Sequence, residues 1–239
     1  MRESAMPRWL LLAALLAAVG FTSVRPAFAE SVGDPLEAVN RKVFSFNDAL
    51  DRRLLRPVAT GYKRAMPDPL EAAIHNFFTN LGTPLVAANQ LLQGKPKAAG
   101  QDTARFLVNS TIGLGGLVDI ASGYPALPQH QEDFGQTLAR WGLPAGPYIV
   151  LPLRGPGTVR SVIGSAASGF AYPPRFLPEP AARVGVSALD LVDQRAQLIG
   201  ADQLIFGERY LFFRDLYLQR RDSQIQDGQV DDPFLDDFE

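Results

Sequence analysis

Apolar residues recur along the chain at the spacing of amphipathic helices. Behind Asp34, apolar side chains lie three or four positions apart and form one stripe: Val39, Val43, Phe46, Leu50 and Leu54. Polar residues lie away from this stripe: Asn40, Asn47, Asp51 and Arg52. The segment is therefore predicted to be a helix with one apolar and one polar face.

Start signals of helices recur as well. The string Asp34-Pro35-Leu36-Glu37 places Asp at an N-cap, Pro at N1 and Glu at N3, and residues 68–71 repeat the same letters. Asp133 is a predicted cap for a helix over residues 134–140, and residues 204–221 hold the last helical pattern. Proline-led starts are predicted at Thr83-Pro84, Lys95-Pro96, Gly155-Pro156 and Glu179-Pro180.

Strand signals are few. Tyr148–Leu151 is the best candidate, and the prolines at positions 147, 152 and 156 confine it to a sheet edge or a short hairpin. The predicted fold class is therefore all-α. We expect a single domain of seven or eight mostly short helices, with Gly/Pro turns and at most one short hairpin.

The two ends of the chain differ from its body. Residues 1–29 have the layout of a cleaved signal peptide, with Arg2 and Arg8 before an apolar run and Ala27-Phe28-Ala29 as the cleavage site. Residues 222–239 contain seven acids and no Lys or Arg, which is typical of a solvated, disordered tail. The folded domain is predicted to cover residues 30–221, and the mature protein is expected to be exported without a transmembrane helix.

Composition and motifs exclude several functions. The chain has no Cys, so no disulfide, thiolate site or lipid-modified lipobox cysteine is expected. The weakly basic body has no basic stripe interleaved with aromatics, which argues against nucleic acid. A zinc site at His75 or His130 would need acidic ligands, and His130 with Glu132 and Asp133 is better interpreted as a polar loop cluster that caps the next helix. Gly113–Leu117 lacks the ending of a phosphate-binding loop.

No catalytic constellation is present in the sequence. There is no G-x-S-x-G elbow, and Gly164–Gly169 is better interpreted as a small-residue helix face that permits close packing. Since function must be argued from a site and none converges, we predict no enzyme, no catalytic residue, no metal and no cofactor.

Amphipathic surface is what remains. Residues 74–92, which include Phe77 and Phe78, and residues 112–120 are apolar enough to lie in a bilayer interface. Trp141, Tyr148 and Tyr172 are of residue types that favour headgroup depth. The same pattern fits an ordinary helical core with a few exposed aromatics, because periodicity does not distinguish a face that meets protein from one that meets lipid.

Short strings along the mature chain follow one another in a specific order and spacing. In the first half they are Asp34-Pro35-Leu36-Glu37, Asn40-Arg41, Phe44, Phe46-Asn47, Arg56-Pro57, Asn76-Phe77-Phe78, Asn80-Leu81, Pro84, Asn89 and Leu92-Gln93-Gly94. In the second half they are Arg105-Phe106, Asn109, Gly113, Gly115-Gly116, Asp119, Phe134-Gly135, Thr137-Leu138, Trp141-Gly142, Gly146-Pro147-Tyr148, Pro152, Arg195-Ala196-Gln197-Leu198 and Tyr217-Leu218-Gln219-Arg220. Together they resemble the MlaA/VacJ family over about residues 34–221.

The resemblance implies a ring-like, all-helical protein in the inner leaflet of the outer membrane, on its periplasmic side. It implies a polar channel through which phospholipid leaves the outer leaflet, so that lipid asymmetry is maintained. The implied partners are phospholipid, a trimeric porin, and a soluble periplasmic carrier that feeds an inner-membrane ABC-type complex.

The residues can be assigned roles within that resemblance. Channel or lipid-contact residues are predicted to be Asn40, Phe44, Asn47, Asp51, Arg52, Gly113, Gly115 and Gly116. Membrane-interface residues are predicted to be Phe77, Phe78, Trp141 and Tyr148.

Two features depart from the family pattern. The first is the absence of the N-terminal Cys that is acylated in many members, so membrane attachment is expected to rest on embedded apolar surface and porin contact. The second is Ser161 after Arg160, at a position where an acid is common in the family. The alternative functions are a periplasmic lipid-modifying enzyme and a porin-associated envelope scaffold.

Overall fold

The computed structural model describes residues 34–201, 205 and 207–228. Counted as continuous runs, these residues form seven helices and one two-stranded sheet, as the predicted fold class requires. The first run joins α1 (Glu37–Leu50), a π-helical turn (Asp51–Leu55) and α2 (Arg56–Ala65). The other elements are α3 (Asp68–Leu92), α4 (Pro96–Thr111), α5 (Phe134–Arg140), β1 (Tyr148–Leu151), β2 (Gly155–Thr158), α6 (Val159–Ala171), α7 (Pro180–Gln197) and α8 (Arg209–Ile225), with 3-10 turns at Ala121–Gly123 and Pro173–Phe176.

The π-helical turn has a cause in the sequence. Pro57 has no backbone N–H to donate, and in a regular helix its ring would press against the carbonyl of Arg53. The widened turn, in which the Arg56 N–H donates to the Asp51 carbonyl, accommodates this. The helix therefore continues from α1 into α2 without a break.

The predicted start at Pro84 is wrong. Pro84 lies inside α3, which runs for 25 residues. An internal proline costs a helix about 3 kcal/mol, but buried residues lie on both sides of it, Asn80 before and Ala87 and Asn89 after. Tertiary packing of both halves keeps the helix continuous.

The two repeated start signals do not act alike. Ahead of α1, the Asp34 carboxylate accepts the Leu36 N–H (3.0 Å), and the helix begins at Glu37 rather than at Pro35. At α3, Asp68 is itself the first helical residue and no side chain caps the helix. The predicted caps at Lys95 and Glu179 correctly place the starts of α4 and α7.

The hairpin confirms the predicted strand and corrects a predicted helix start. β1 pairs antiparallel with β2 in the register Tyr148↔Thr158 to Leu151↔Gly155. The chain at Gly155 is therefore strand, and the next helix begins only at Val159. Thr158 caps it in a reciprocal capping box with Ser161, which occupies the position where an acid is common.

Helix packing around the hairpin forms the core. Tyr148, Val150 and Tyr210 are its buried members, and α8 supplies Tyr210 beside β1 and β2. α3 packs against α4, while α7 packs against α2 and α3. α5 crosses α6 so closely that a Cβ on Gly164 would lie 2.3 Å from the Gly135 nitrogen, whereas Gly169, at the other end of the predicted small-residue face, meets nothing within 4 Å.

The predicted boundary of the acidic tail is wrong. α8 continues through Asp222 to Ile225, and Asp227 in the following turn contacts the Lys95 ammonium. Residues 229–239 and the signal-peptide prediction for residues 1–29 lie outside the described residues.

Candidate functional site

The distribution of apolar and polar side chains is inverted in the part of the chain that the structure describes. Buried polar and charged residues outnumber buried hydrophobic ones, while many large apolar side chains face outward. In α1, Val39 (60% exposed) and Phe46 of the apolar stripe face outward, whereas Val43 packs against the core and Asn40 is 1% exposed. Such a surface is what an apolar environment favours.

The outward apolar surface includes several elements. Phe77, Leu114 and Trp141 are exposed, and Leu114, at 69%, projects from the turn behind α4. The Trp141 Nε1–H donates to the Leu92 carbonyl (3.0 Å), which fixes the indole ring at the surface. Within the described residues, no helix is both long and apolar enough to cross a membrane.

Two of the four predicted membrane-interface residues are wrong. Tyr148 is only 6% exposed and packs in the core between α1 and α8, and Phe78 is buried in α3. Tyr148 lies on the strand face that meets Tyr210 and Tyr217, so its ring contacts protein. Phe77 and Trp141 stay predictions.

Asn40 and Asn47 bind the backbone of the hairpin. Asn40 donates from Nδ2 to the Tyr148 carbonyl (3.0 Å), and its Oδ1 accepts the Val150 N–H (2.9 Å). Asn47 donates to the Leu151 carbonyl (2.8 Å) and accepts the Leu153 N–H (2.9 Å). The side-chain amides on the polar face of α1 therefore bind the backbone groups at the open edge of β1, as a neighbouring strand would.

Asp51 and Arg52 make ion pairs with different exposure. Asp51 accepts two hydrogen bonds from Arg195 on α7, at 2.7 and 3.1 Å. Arg52 is largely exposed and pairs with Asp48 (2.8 Å), which also binds Arg209 (2.9 Å). Asp51 thus ties the π-helical turn to α7.

The remaining predicted channel residues lie elsewhere. Phe44 packs edge-on against Tyr210 in the core. Gly113, Gly115 and Gly116 form the turn behind α4; a Cβ on Gly116 (φ +94°) would lie 2.6 Å from the Asn80 side chain. The glycines there permit close approach of a turn to α3.

A cavity of about 540 Å³ lies between the hairpin, α6 and α7. Its volume is in the range of small-ligand sites. The lining residues are Leu151, Arg154, Gly155, Pro156, Gly157, Ser161, Val162, Ser165, Ser187, Asp190, Leu191 and Gln194. None of the predicted channel residues is among them. Asn47 and Asp51 instead hold two of its walls, the hairpin turn and α7.

Sequence reasoning missed the polar residues of this cavity. Arg154 lies in a Gly/Pro turn, and Ser187, Asp190 and Gln194 lie on α7, with only ordinary helical spacing to mark them. The Tyr172 hydroxyl donates to Asp190 (2.7 Å), and burial followed by this bond raises the pKa of Tyr172 well above its usual value. Tyr172 is therefore a neutral donor that fixes the carboxylate.

Ser161, which lines the cavity, is not an activated nucleophile. The Ser161 hydroxyl donates to the Thr158 carbonyl (2.9 Å) and accepts the Thr158 N–H (2.7 Å) and the Tyr217 hydroxyl (2.8 Å). Its hydrogen bonds therefore serve the helix cap. A nucleophile needs a base within reach, and no histidine lines this cavity.

The two histidines lie apart from the cavity. The Nδ1 atom of His75 is 2.9 Å from the buried Asp193 carboxylate, which also accepts the Tyr62 hydroxyl (3.3 Å). Burial and the nearby charge of Asp193 raise the pKa of Tyr62 to about 12. His130 pairs with Asp102 (3.0 Å), and within the described residues no cluster of side chains has the composition of a metal site.

The chain is similar to known bacterial proteins over most of its length. The model of the MlaA lipoprotein family matches residues 32–224. The intermembrane phospholipid transport system lipoprotein MlaA of Escherichia coli (strain K12) is 36% identical over 202 residues, which cover 82% of this chain and 80% of that protein. Its counterpart in Haemophilus influenzae is 33% identical over 232 residues, which cover 92% of each chain.

Two further relatives complete the comparison. An uncharacterized protein of Rickettsia felis is 35% identical over 199 residues, 82% of this chain. A solved structure from work on the structural basis for maintenance of bacterial outer membrane lipid asymmetry superimposes with a TM-score of 0.71 at 34% identity, and covers 80% of this chain and 98% of that one. Since the family model spans most of the sequence and the fold agrees, the chain belongs to the MlaA lipoprotein family.

Proposed function

We propose that this protein acts in intermembrane phospholipid transport and maintains the lipid asymmetry of the outer membrane. It removes misplaced phospholipid from the outer leaflet and passes it toward the inner membrane. Membership of the MlaA lipoprotein family and the fold shared with the solved relative support this function. The protein works as a transport component and not as an enzyme.

The observation that carries the proposal is the inverted distribution of side chains together with a cavity whose lining includes charged and polar residues. Acyl chains and an apolar exterior need no polar partner, whereas a phospholipid headgroup needs hydrogen bonds and charges along its path. The exposed side chains of Val39 and Phe46 on α1 and of Leu114 in the turn behind α4 supply the apolar surface. The cavity between the hairpin, α6 and α7 supplies the charged and polar groups that a headgroup needs.

The site residues then have distinct roles. Arg154, Ser165, Ser187, Asp190 and Gln194 face the headgroup. Asn40, Asn47 and Asp51 position the hairpin and α7, which carry those residues. Phe77 and Trp141 lie in the membrane interface. In the turn behind α4, Leu114 and Gly115 contact lipid, whereas Gly113 and Gly116 are buried against protein.

We further propose the location and the partners. The protein lies on the periplasmic side of the outer membrane, embedded in the inner leaflet through its apolar surface. A trimeric porin holds it there, and a soluble periplasmic carrier receives the lipid.

The test is the phospholipid content of the cell surface, measured with a membrane-impermeant amine label in cells with and without this protein. Loss of the protein should raise surface phospholipid, and re-expression should reverse the rise while porin levels stay constant. A rise that only follows a fall in porin would favour the scaffold alternative. An unchanged surface, with folded protein present in the wild type, would contradict the transport function.

A further inference from the structure

The charges of the cavity between the hairpin, α6 and α7 are balanced. Arg154 is the one cation and Asp190 the one carboxylate among its lining residues. They belong to different walls, since Arg154 lies in the turn between β1 and β2 and Asp190 lies on α7. The remaining polar groups are neutral hydroxyls and the Gln194 amide. A ligand that matches this wall carries one negative and one positive charge.

Arg154 is available to an anion. Its side chain is exposed and makes no ion pair with any carboxylate of the described residues. The turn that carries it is nevertheless fixed, because Asn47 accepts the N–H of Leu153, and Leu153 adopts a left-handed conformation at φ +65°. The guanidinium therefore extends from a held backbone, and it presents a planar pair of donors suited to phosphate.

The backbone amides at the start of α6 do not compete for that role. The N–H groups of Val159 and Arg160 donate to the carbonyls of Pro147 and Ala145, and that of Ser161 donates to Thr158 Oγ1. A helix start often binds phosphate through such amides, but here they are already used. Arg154 is thus the donor of choice for an anion in this cavity.

Asp190 is held on the opposite wall. Its Oδ2 accepts the Tyr172 hydroxyl (2.7 Å) and its Oδ1 accepts the Gln194 side chain (2.8 Å). Each carboxylate oxygen has a second acceptor site, so one on each remains for a further donor. Neither neighbour is a cation, and the negative charge of Asp190 therefore remains unneutralised by them.

We propose that this cavity is a subsite for zwitterionic phospholipid headgroups, with the phosphate on Arg154 and the headgroup ammonium on Asp190. The inference rests on the proposed function and adds the class of headgroup. A phospholipid with a glycerol headgroup is anionic overall and leaves Asp190 without a cationic partner. Such a lipid binds less well, because its headgroup offers no positive charge to the Asp190 carboxylate.

The experiment uses the full chain, purified in detergent and equilibrated with mixed micelles that contain equal amounts of phosphatidylethanolamine and phosphatidylglycerol. The bound lipids are extracted and quantified by mass spectrometry. The wild type should retain phosphatidylethanolamine in excess, and Asp190→Asn should lower the ratio of the two lipids about tenfold, which corresponds to one lost charge contact. Arg154→Gln should reduce the binding of both lipids, since both contain the phosphate.

Asp215→Asn is the matched control, because Asp215 lies on α8 and does not line the cavity. It should leave the lipid ratio unchanged. All variants are first compared with the wild type by circular dichroism and thermal unfolding. If Asp190→Asn unfolds, Asp190→Glu, which keeps the charge, serves as the second variant and should retain the preference for phosphatidylethanolamine.

The outcomes separate the headgroup subsite from the transport function. If the wild type binds both lipids equally and Asp190→Asn changes nothing, the subsite is overturned while phospholipid binding stands. If the wild type binds neither lipid, the proposed function fails. Soluble glycerophosphoethanolamine serves as competitor; displacement at the same concentration as phosphatidylethanolamine would mean that the site recognises a free headgroup and would overturn its assignment to lipid.

Discussion

Asp51 and Arg195 form a two-pronged ion pair that connects the π-helical turn to α7, with Nε to Oδ1 at 2.7 Å and a second nitrogen to Oδ2 at 3.1 Å. Both side chains are more than half buried. A charged hydrogen bond of this kind contributes more to stability than a neutral one. The pair therefore holds α7, the wall that carries Asp190, against the first helical run.

Removal of this pair should be costly. Asp51→Asn is expected to lower the free energy of unfolding by about 1.5–3 kcal/mol, since the shielded Arg195 guanidinium loses its two charged hydrogen bonds to Asp51. Denaturant unfolding of the detergent-solubilised protein measures the change. Arg52→Gln is the control, because Arg52 is exposed and Asp48 keeps Arg209; its effect should stay below about 1 kcal/mol. Equal effects of the two substitutions would contradict this ranking.

The side chain of Asn40 should be essential for folding. Asn40→Ala leaves the Tyr148 carbonyl and the Val150 N–H without partners, and each stranded group costs about 1–3 kcal/mol. We expect a large fall in thermal unfolding temperature. Asn76→Ala removes one exposed bond of 3.3 Å to the Leu117 carbonyl and should be nearly neutral. A stable Asn40→Ala protein would mean that the hairpin does not depend on α1.

The contact between α5 and α6 distinguishes two glycines on one helix. A Cβ on Gly164 would lie 2.3 Å from the Gly135 nitrogen, whereas a Cβ on Gly169 meets nothing within 4 Å. Gly164→Ala should therefore destabilise the protein strongly by forcing the helices apart. Gly169→Ala should be neutral or stabilising by up to about 1 kcal/mol. Thermal unfolding of both variants tests the pair, and a benign Gly164→Ala would refute the close crossing.

Acid should destabilise the fold through its paired carboxylates. Burial alone would raise the pKa of Asp133, but the hydrogen bonds and charge of Arg221 hold it below the usual value. Burial also acts to raise the pKa of Asp119, but hydrogen bonds from Ser122 and Asn109 and the charge of Arg105 hold that pKa below its usual value. A lowered pKa in the folded state means that the stabilisation is fully present above the unfolded value of about 3.9 and is lost as pH falls below it.

Unfolding temperatures between pH 7 and pH 3 measure this dependence. The wild type should keep its stability down to about pH 4 and lose it below. Asp133→Asn should lower the unfolding temperature at pH 7 and flatten the loss at acid pH, because residue 133 then no longer titrates. If the unfolding temperature of Asp133→Asn falls with pH as steeply as that of the wild type, Asp133 is excluded as a source of the acid sensitivity.

The turn behind α4 allows membrane affinity to be separated from stability. Leu114 is exposed and has φ +56°, a conformation that Asn adopts more readily than Leu. Leu114→Asn should therefore fold at least as well as the wild type and bind vesicles more weakly, whereas Leu114→Met should bind like the wild type. Flotation with phospholipid vesicles measures the difference. Unchanged flotation of Leu114→Asn would remove this turn from the membrane surface.

Local signals in the sequence were sufficient for most of the elements. Periodicity and caps placed α1, α4, α5 and α7, and the Tyr148–Leu151 strand was correct to the residue. β2 could not be predicted, because Gly155-Pro156-Gly157-Thr158 has low strand propensity and is held by pairing with β1. The predicted helix start at Pro84 was wrong for a similar reason, since tertiary packing outweighs the local cost of a proline inside a helix.

The candidate site depended on information that is not local. The asparagines on the polar face of α1 were recognised, but their partners are hairpin backbone groups more than 100 positions away. Amphipathic spacing could not say that Val39 and Phe46 face outward while Val43 packs on the core, since apolar residues pack equally well against protein or lipid. Arg154 and Asp190 meet at one cavity only through the tertiary fold.

The contact of Asn40 and Asn47 with β1 also bears on how the protein avoids aggregation. A short hairpin with an open edge can accept a strand from another chain and so start the growth of an intermolecular sheet. Here the two side-chain amides occupy the backbone groups that an incoming strand would need. A helix thus protects the hairpin from pairing with other chains, in a protein whose apolar surface already favours association.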